Sequence, residues 1–229
     1  MLLAGDIGGT KTVLALFDET QGINQPLNEK TFPSDDYPSL EAIIRAYLSA
    51  TEQTIAAASF GVAGPVVDNR AHITNLSWLI DAAAISTEFD IETVHLLNDL
   101  ESIATAVPHL TTDDLITLNE GEAKPGGTIA VIAPGTGLGE AFLVWDGSQY
   151  IAAPSEGGHA AFGPTTTLQV DLLTYMQERY GHVSYERVCS GVGIPNLYAF
   201  LRDRNHYPEP DWLAAQFALI LKFKHHGFI

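Results

Sequence analysis

A glycine-rich turn near the start of the chain combines residue types that suit a phosphate group and a metal ion. Residues 5–12 read GDIGGTKT and lie between two apolar runs. This arrangement predicts a β-hairpin whose glycines, Gly8 and Gly9, bring backbone N–H groups close to a ligand. The N–H groups and the Thr10 hydroxyl suit phosphate oxygens, and the Asp6 carboxylate suits Mg²⁺ or its water shell. An ordinary hairpin turn is the alternative interpretation.

A second glycine-rich loop, GTGLG at residues 135–139, also lies between two predicted strands. It departs from the dinucleotide-binding fingerprint because the third glycine comes one residue early and a strand follows. The chain also lacks the GxxxxGK[ST] pattern of a Walker-type site. Gly135, Thr136 and Gly137 therefore predict either a tight hairpin or a second set of phosphate donors. Together the two loops could hold the β- and γ-phosphates of a nucleotide from both sides.

Asn98 and Asp99 follow a short predicted strand that ends at Leu97. Open α/β sheets present ligand-binding groups at the carboxyl ends of their strands. Asp99 at such a position can accept a proton from a reacting hydroxyl. Alternatively, it caps the predicted helix over residues 100–107.

Three further polar residues lie in the second half of the chain. Glu156 and His159 flank two glycines in the segment EGGH, and Glu186 lies in the segment VSYERV. The spacing of Glu156 and His159 is compatible with a metal site, but no third ligand lies nearby in the sequence. A solvated surface loop and, for Glu186, a helix-surface position are the alternative interpretations.

The elements that must position these residues alternate between strands and helices. Ser39 is the expected N-cap of one helix and Asp81 that of a helix over residues 82–89. This alternation predicts mixed sheets flanked by helices, an α/β fold. The polar, acidic segment 108–124 is the expected junction between a domain of residues 1–109 and one of residues 110–229.

The composition excludes several classes of protein. Of the 229 residues 46% are hydrophobic, and the formal net charge is −17. We therefore expect neither nucleic acid nor an anionic membrane as a partner, because both bind basic surfaces. The single cysteine, Cys189, excludes a disulfide framework and a Cys-cluster zinc site, which fits a cytoplasmic protein. No apolar run reaches the ~18 residues that a membrane-spanning helix requires.

The first loop resembles the first phosphate loop of the superfamily that contains sugar kinases, actin and the heat-shock chaperone ATPases. The later motifs LND, GTGLG and EGGH, at residues 97–99, 135–139 and 156–159, resemble those of the bacterial glucokinase family. The resemblance implies a two-domain actin-like ATPase (ribonuclease H-like) fold hinged over a nucleotide cleft. It also implies ATP-dependent phosphorylation of glucose at the 6-hydroxyl, at the entry to glycolysis, with Mg²⁺ and with a homodimer as the usual assembly.

The same resemblance implies a role for each candidate residue. Asp99 would be the catalytic base, and Asp6 would organise Mg²⁺. The sugar would be held by Asn98, Asp99, Glu156, His159 and Glu186. The phosphates would be held by Asp6, Gly8, Gly9, Thr10, Gly135, Thr136 and Gly137. Asn75 and Trp78 match the family in outline, although a core position is the preferred interpretation of Trp78.

The resemblance covers most of residues 1–203 and is expected to decay after Arg202. The family's adenosine-binding segment has no counterpart in the sequence, so we expect a C-terminally truncated chain with an incomplete second domain. Two alternatives to an active glucokinase follow from this. One is a truncated sugar-binding relative without turnover, and the other is an ATPase of the actin or chaperone type, against which the EGGH motif speaks.

Overall fold

The computed structural model describes the chain except for residues 19, 23, 24, 50, 52, 74, 75, 206, 207 and 217–229. The described residues form two compact units. The first comprises Met1–Ile129 and Leu143–Ala153, and the second comprises Ala130–Phe142 and the described part of Pro154–Ile229. The predicted domains, 1–109 and 110–229, stay a prediction.

The elements up to residue 106 belong to the first unit. They are β1 (Leu2–Ile7), β2 (Lys11–Phe17), β3 (Asn28–Pro33), α1 (Leu40–Leu48), β4 (Ala57–Val62), β5 (Val66–Val67), β6 (Arg70–His72), β7 (Leu79–Asp81), α2 (Ala82–Phe89), β8 (Thr93–Asn98) and α3 (Asp99–Ala106). Five of the strands form a mixed sheet in the order β3-β2-β1-β4-β8, and β5, β6 and β7 form a small antiparallel sheet. In the larger sheet β1, β4 and β8 run parallel, whereas β2 and β3 run antiparallel to their neighbours.

The core of the first unit explains why these segments form these elements. Side chains on β4 alternate between buried and more exposed positions, the period expected of a strand, whereas β2 has a continuous buried run from Leu14 to Leu16. Phe60 on the interior strand β4 is completely buried, and α1 packs Ile43 and Ile44 into the same core. Trp78 is also part of this core, which confirms its expected role as a core residue.

The predicted caps on both helices are confirmed. The Ser39 hydroxyl accepts a hydrogen bond from the Ala42 N–H at the start of α1. The Asp81 carboxylate accepts from Ala83 and Ala84 at the start of α2. A side chain of this kind satisfies N–H groups that the first helical turn leaves without a partner.

Three further strands and two further α-helices follow in the described part of the chain. They are β9 (Ile129–Pro134), β10 (Leu138–Trp145), β11 (Tyr150–Ser155), α4 (Thr167–Tyr180) and α5 (Gly193–Asn205). The strands form a sheet in the order β11-β10-β9. The loop at residues 135–137 therefore joins adjacent strands, as the sequence predicts. The sequence also predicts a short helix that is capped by Ser184 and extends through Val188. This prediction is wrong, because the chain forms a turn there.

The helices α4 and α5 of the second unit enclose a small core that contains Leu172, Met176 and Phe200. At its edge the Tyr175 hydroxyl donates a hydrogen bond to Asp203 over 2.6 Å, and Arg179 stacks on the Tyr175 ring. Burial and the bond to Asp203 raise the pKa of Tyr175 to about 12. The hydroxyl therefore remains a donor across the physiological range. None of the helices in the described part of the chain is long and apolar enough to cross a bilayer.

Candidate functional site

The first glycine loop is the connection of the β1–β2 hairpin. Its Gly8 N–H donates to the Lys11 carbonyl over 3.0 Å. Ser34, which follows β3, reaches back to the loop: its N–H donates to the Thr10 carbonyl and its hydroxyl to the Gly8 carbonyl. The hydroxyl oxygens of Ser34 and Thr12 lie 3.0 Å apart and are buried. The carbonyl side of the loop is thus held by the protein itself.

The N–H side of this loop is available to a ligand. Among the described residues, the N–H groups of Gly9 and Thr10 have no hydrogen-bond acceptor. Thr10 is exposed and Gly9 is partly exposed. Consecutive backbone N–H groups of this kind form a concave site that can receive an anion.

The register of the large sheet places the other first-unit candidates at the same edge. Asp6 on β1 pairs with Gly61 on β4, which pairs with Leu97 on β8. Because the three strands are parallel, their carboxyl ends meet at one edge of the sheet. Asp6 and Asn98 are two strand spacings apart along this edge, about 10 Å between their backbones. Asp6 is exposed there.

Asn98 has a structural role that the sequence assigned to its neighbour. The helix predicted to start at residue 100 starts at Asp99, and its N-cap is Asn98. The Asn98 side-chain oxygen accepts from the Leu100 N–H over 3.0 Å, and its amide nitrogen donates to the Gly64 carbonyl over 3.0 Å. Asn98 thereby links the ends of β4 and β8.

Asp99 lies at the first position of α3 and is exposed. Its Oδ1 accepts from the Leu100 N–H over 2.8 Å. Among the described residues, its second oxygen accepts no hydrogen bond. An accessible carboxylate with a free oxygen can accept a proton from a hydroxyl.

In the second glycine loop, as in the first, carbonyl groups are hydrogen-bonded within the protein and, among the described residues, two N–H groups are not. Gly191 N–H donates to the Gly135 carbonyl over 2.8 Å, and Val192 N–H donates to the Thr136 carbonyl over 3.1 Å. Gly135 N–H is taken by the Gly137 carbonyl. The N–H groups of Thr136 and Gly137 have no acceptor within the described ranges. Each predicted phosphate loop thus offers two consecutive N–H groups to a ligand.

The structure brings Glu156, His159 and Glu186 together around one imidazole. His159 Nε2 lies 3.7 Å from Glu156 Oε2, and His159 Nδ1 lies 3.9 Å from Glu186 Oε1. The exposed fraction of the side chain is 90% for Glu156, 63% for His159 and 25% for Glu186. Exposed groups so arranged contribute little to stability. They are instead available to the hydroxyl groups of a small polar ligand.

Packing leaves no room for a side chain at Gly158 of the EGGH segment, whereas at Gly157 the nearest atoms belong to a flexible side chain. A Cβ atom on Gly158 would overlap the Leu138 carbonyl oxygen, and one on Gly157 would overlap the Glu140 carboxylate. The Gly158 carbonyl also accepts from the Glu186 N–H over 2.9 Å. Close backbone approach at Gly158 therefore places His159 and Glu186 beside each other.

Three contacts of the site were not expected from the sequence. Ser34 braces the first loop across 26 residues, Glu186 accepts from the Leu138 N–H across 48 residues, and Gly191 braces the second loop. The one local pattern that could have indicated such a contact is the pair of glycines at 191 and 193, which permits close backbone approach. Asn75 lies outside the described residues. Among those that are described, no group of three or more His, Cys, Asp or Glu side chains could hold a metal.

A mixed sheet with a polar carboxyl edge, together with two glycine hairpins, defines the α/β class of actin-like ATPase folds. A family model for glucokinase matches residues 3–221, nearly the whole chain. The chain therefore belongs to the glucokinase family. The match extends past Arg202, the point after which the sequence analysis expects the resemblance to decay, and ends at residue 221.

Individual relatives agree with this assignment. The glucokinase of Nostoc sp. is 41% identical over 223 residues, which is 93% of this chain and 64% of the relative. That of Nostoc punctiforme is 40% identical over 217 residues, 92% of this chain and 63% of the relative. The crystal structure of glucokinase from an Antarctic psychrotroph has a TM-score of 0.83 at 32% identity. The matched region comprises 98% of this chain and 71% of the psychrotroph chain. The match confirms the predicted fold class.

The chain spans about 64% of the length of the first of these curated relatives and about 63% of the second. The assignment to the family therefore rests on the matched residues, 3–221.

Replacing Ser34 by alanine tests the brace on the first loop. The change removes the partner of the Thr12 hydroxyl in a buried setting and the donor to the Gly8 carbonyl in a partly buried one. We expect the free energy of unfolding to fall by about 1–3 kcal/mol, measured by urea denaturation. Ser49→Ala is the control, because Ser49 is exposed and its hydroxyl bonds, among the described residues, to the Ala46 carbonyl of its own helix end. It should change the value by less than about 0.5 kcal/mol. Equal effects of the two variants would contradict the brace.

Replacing Gly158 by alanine tests the packing that places His159 beside Glu186. The added methyl group would push against a backbone carbonyl, which cannot move independently. We expect destabilisation of about 1–3 kcal/mol, measured by thermal denaturation monitored by circular dichroism. Gly135→Ala is the matched control, because nothing lies within 4 Å of the added atom. A Gly158→Ala protein as stable as the control would show that this close approach is not required.

Proposed function

We propose that this protein transfers the γ-phosphoryl group of ATP to the 6-hydroxyl of glucose. The observation that carries the proposal is the cluster of Glu156, His159 and Glu186, which converge on an exposed imidazole. A pyranose presents fixed hydroxyl groups, and several convergent carboxylate and imidazole groups distinguish it because an epimer leaves some of them unpaired. An ATPase of the actin type has no use for such a cluster. The relatives named glucokinase support the same substrate.

The first unit would supply the base. Asp99 takes the proton of the sugar 6-hydroxyl while that oxygen forms a bond to the γ-phosphorus. The bond from the γ-phosphorus to its bridging oxygen breaks, and ADP leaves with the bonding electrons. The protein's contribution to such a reaction is mostly positioning and charge stabilisation. Asn98 would hold the sugar through the second N–H of its side-chain amide and the second lone pair of its side-chain oxygen, since one of each is used by Gly64 and Leu100.

The two glycine loops would bind the phosphates. The open N–H groups of Gly9 and Thr10 in one loop, and of Thr136 and Gly137 in the other, suit phosphate oxygens. Gly8 and Gly135 would contribute by shaping the turns, since their own N–H groups are already bonded within the loops.

Asp6 fits a magnesium ion that arrives with the nucleotide. Mg²⁺ in kinase sites takes one or two protein carboxylates and completes its coordination with phosphates and water. Asp6 is an exposed carboxylate at the end of β1, next to the first loop. The ion would neutralise charge on the β- and γ-phosphates. We propose ATP with Mg²⁺ as the phosphoryl donor on this basis.

The setting of the enzyme follows from the proposed reaction. We propose a cytoplasmic protein that acts at the entry to glycolysis and forms a homodimer, the usual assembly of the family that the motifs resemble. The net charge of −17 disfavours nucleic acid and anionic membranes as partners.

The variant Asp99→Asn tests the assignment of the base. Asparagine keeps an oxygen for the Leu100 N–H but cannot accept the proton. We expect kcat to fall by about 10²–10⁴ in a coupled assay for glucose 6-phosphate, with glucose affinity changed little. Glu101→Gln is the control, because it removes a charge from the same helical turn and should retain turnover.

The outcomes of this experiment are distinct. Near-normal turnover by Asp99→Asn would show that Asp99 is not the base. A folded wild-type protein that binds glucose without turnover would instead be a sugar-binding relative of the family. ATP hydrolysis that does not depend on sugar would support the actin-type alternative.

A further inference from the structure

Glu186 contacts two groups that the proposed function assigns to different ligands. Its Oε2 accepts a hydrogen bond from the Leu138 N–H over 3.0 Å, and Leu138 is the fourth residue of the second glycine loop. Its Oε1 lies 3.9 Å from His159 Nδ1, on the side proposed for the sugar. One carboxylate therefore connects the loop with the imidazole.

The surrounding backbone fixes this carboxylate in place. The Glu186 N–H donates to the Gly158 carbonyl over 2.9 Å, and the Ser190 hydroxyl donates to the Glu186 carbonyl over 2.6 Å. A Cβ atom on Gly137 would overlap the same Oε2, so the glycine at this position leaves room for the carboxylate. The side chain is only 25% exposed, in contrast to Glu156 and His159. Glu186 thus packs against the second glycine loop.

The bond to Leu138 also determines which N–H groups of the loop remain free. The Leu138 N–H is used by Glu186, and the Gly135 N–H is used by the Gly137 carbonyl. Only the N–H groups between them, on Thr136 and Gly137, remain for a ligand within the described loop. Without the acceptor at Glu186, the turn would lose the contact that holds its C-terminal end.

We propose that Glu186 is a positioning residue for the second glycine loop and sets its affinity for nucleotide phosphate even when no sugar is bound. This inference rests on the proposed function for the identity of the nucleotide, but the geometry of the loop does not depend on it. A residue that only contacts sugar would influence glucose binding alone. A residue that also holds the loop influences both ligands.

Three variants separate these roles. Glu186→Ala removes the acceptor for the Leu138 N–H, whereas Glu186→Gln retains an oxygen that can accept it. His159→Ala is the matched control, because it removes the imidazole of the same cluster and leaves the acceptor for Leu138 in place. All three are made in the full chain and checked for native circular dichroism.

The first readout is hydrogen–deuterium exchange of the Leu138 amide in the ligand-free protein. We expect exchange to be at least several-fold faster in Glu186→Ala, and close to wild type in Glu186→Gln and His159→Ala. Unchanged exchange in Glu186→Ala would overturn the proposal, whatever the protein's activity.

The second readout is the sugar-free affinity for a non-hydrolysable ATP analogue with Mg²⁺, measured by calorimetry. Loss of one hydrogen bond that orders the loop should weaken binding by about 5–20-fold in Glu186→Ala. Glu186→Gln and His159→Ala should remain within about twofold of wild type.

The failures of the two proposals are distinguishable. If wild type binds the analogue and Glu186→Ala binds it equally well, the inference is overturned and the proposed function stands. If wild type binds no nucleotide but Leu138 exchange accelerates in Glu186→Ala, the proposed function fails and the positioning role of Glu186 in the loop stands.

Discussion

The parallel pairing of β1, β4 and β8 is the constraint on which the chemistry of the first unit depends. The pairing of Gly61 with both Asp6 and Leu97 aligns the carboxyl ends of three strands. A shift of one residue would turn every side chain of a strand to the other face, and the buried positions of Phe60 and Val62 prevent it. The exposed carboxylates of Asp6 and Asp99 are consequences of this register. The hydrophobic core therefore determines where the polar edge lies.

In the second unit, close backbone contact has the corresponding role. Gly158 lies against the Leu138 carbonyl, and the loop at residues 135–137 is held through Gly191, Val192 and Glu186. The N–H groups of Gly191 and Val192 occupy two carbonyl groups of the loop, whereas the Glu186 carboxylate takes the Leu138 N–H. The consecutive N–H groups of Thr136 and Gly137 stay open. The first loop reaches the same arrangement with Ser34 as its brace. Both loops thus combine an internally bonded side with a side that can receive an anion.

Local signals made much of the fold predictable. The β1–β2 hairpin follows from two apolar runs around a glycine turn, and the caps at Ser39 and Asp81 follow from short polar side chains before helical patterns. Asn98 and Asp99 are both capping residues by type, so the sequence alone did not decide which one caps α3. The expected helix after Ser184 is a turn because long-range contacts, including the Ala161–Ser184 bridge, determine the backbone there.

The candidate site was predictable as a set of residues but not as a set of contacts. Motif resemblance identified Glu156, His159 and Glu186, and the structure brings them together. The brace from Ser34 and the bond from Leu138 to Glu186 span 26 and 48 residues. No local pattern encodes such contacts, because they depend on which segments the tertiary fold brings side by side.

The measurement that tests the central claim most directly is the stoichiometry of products formed by the purified 229-residue protein. ATP, Mg²⁺ and glucose would be supplied together, and ADP and glucose 6-phosphate would be quantified in the same samples, with and without sugar. A sugar kinase forms the two products in equal amounts and forms neither without glucose. ADP released at the same rate without sugar, or no product from a folded protein, would contradict the account.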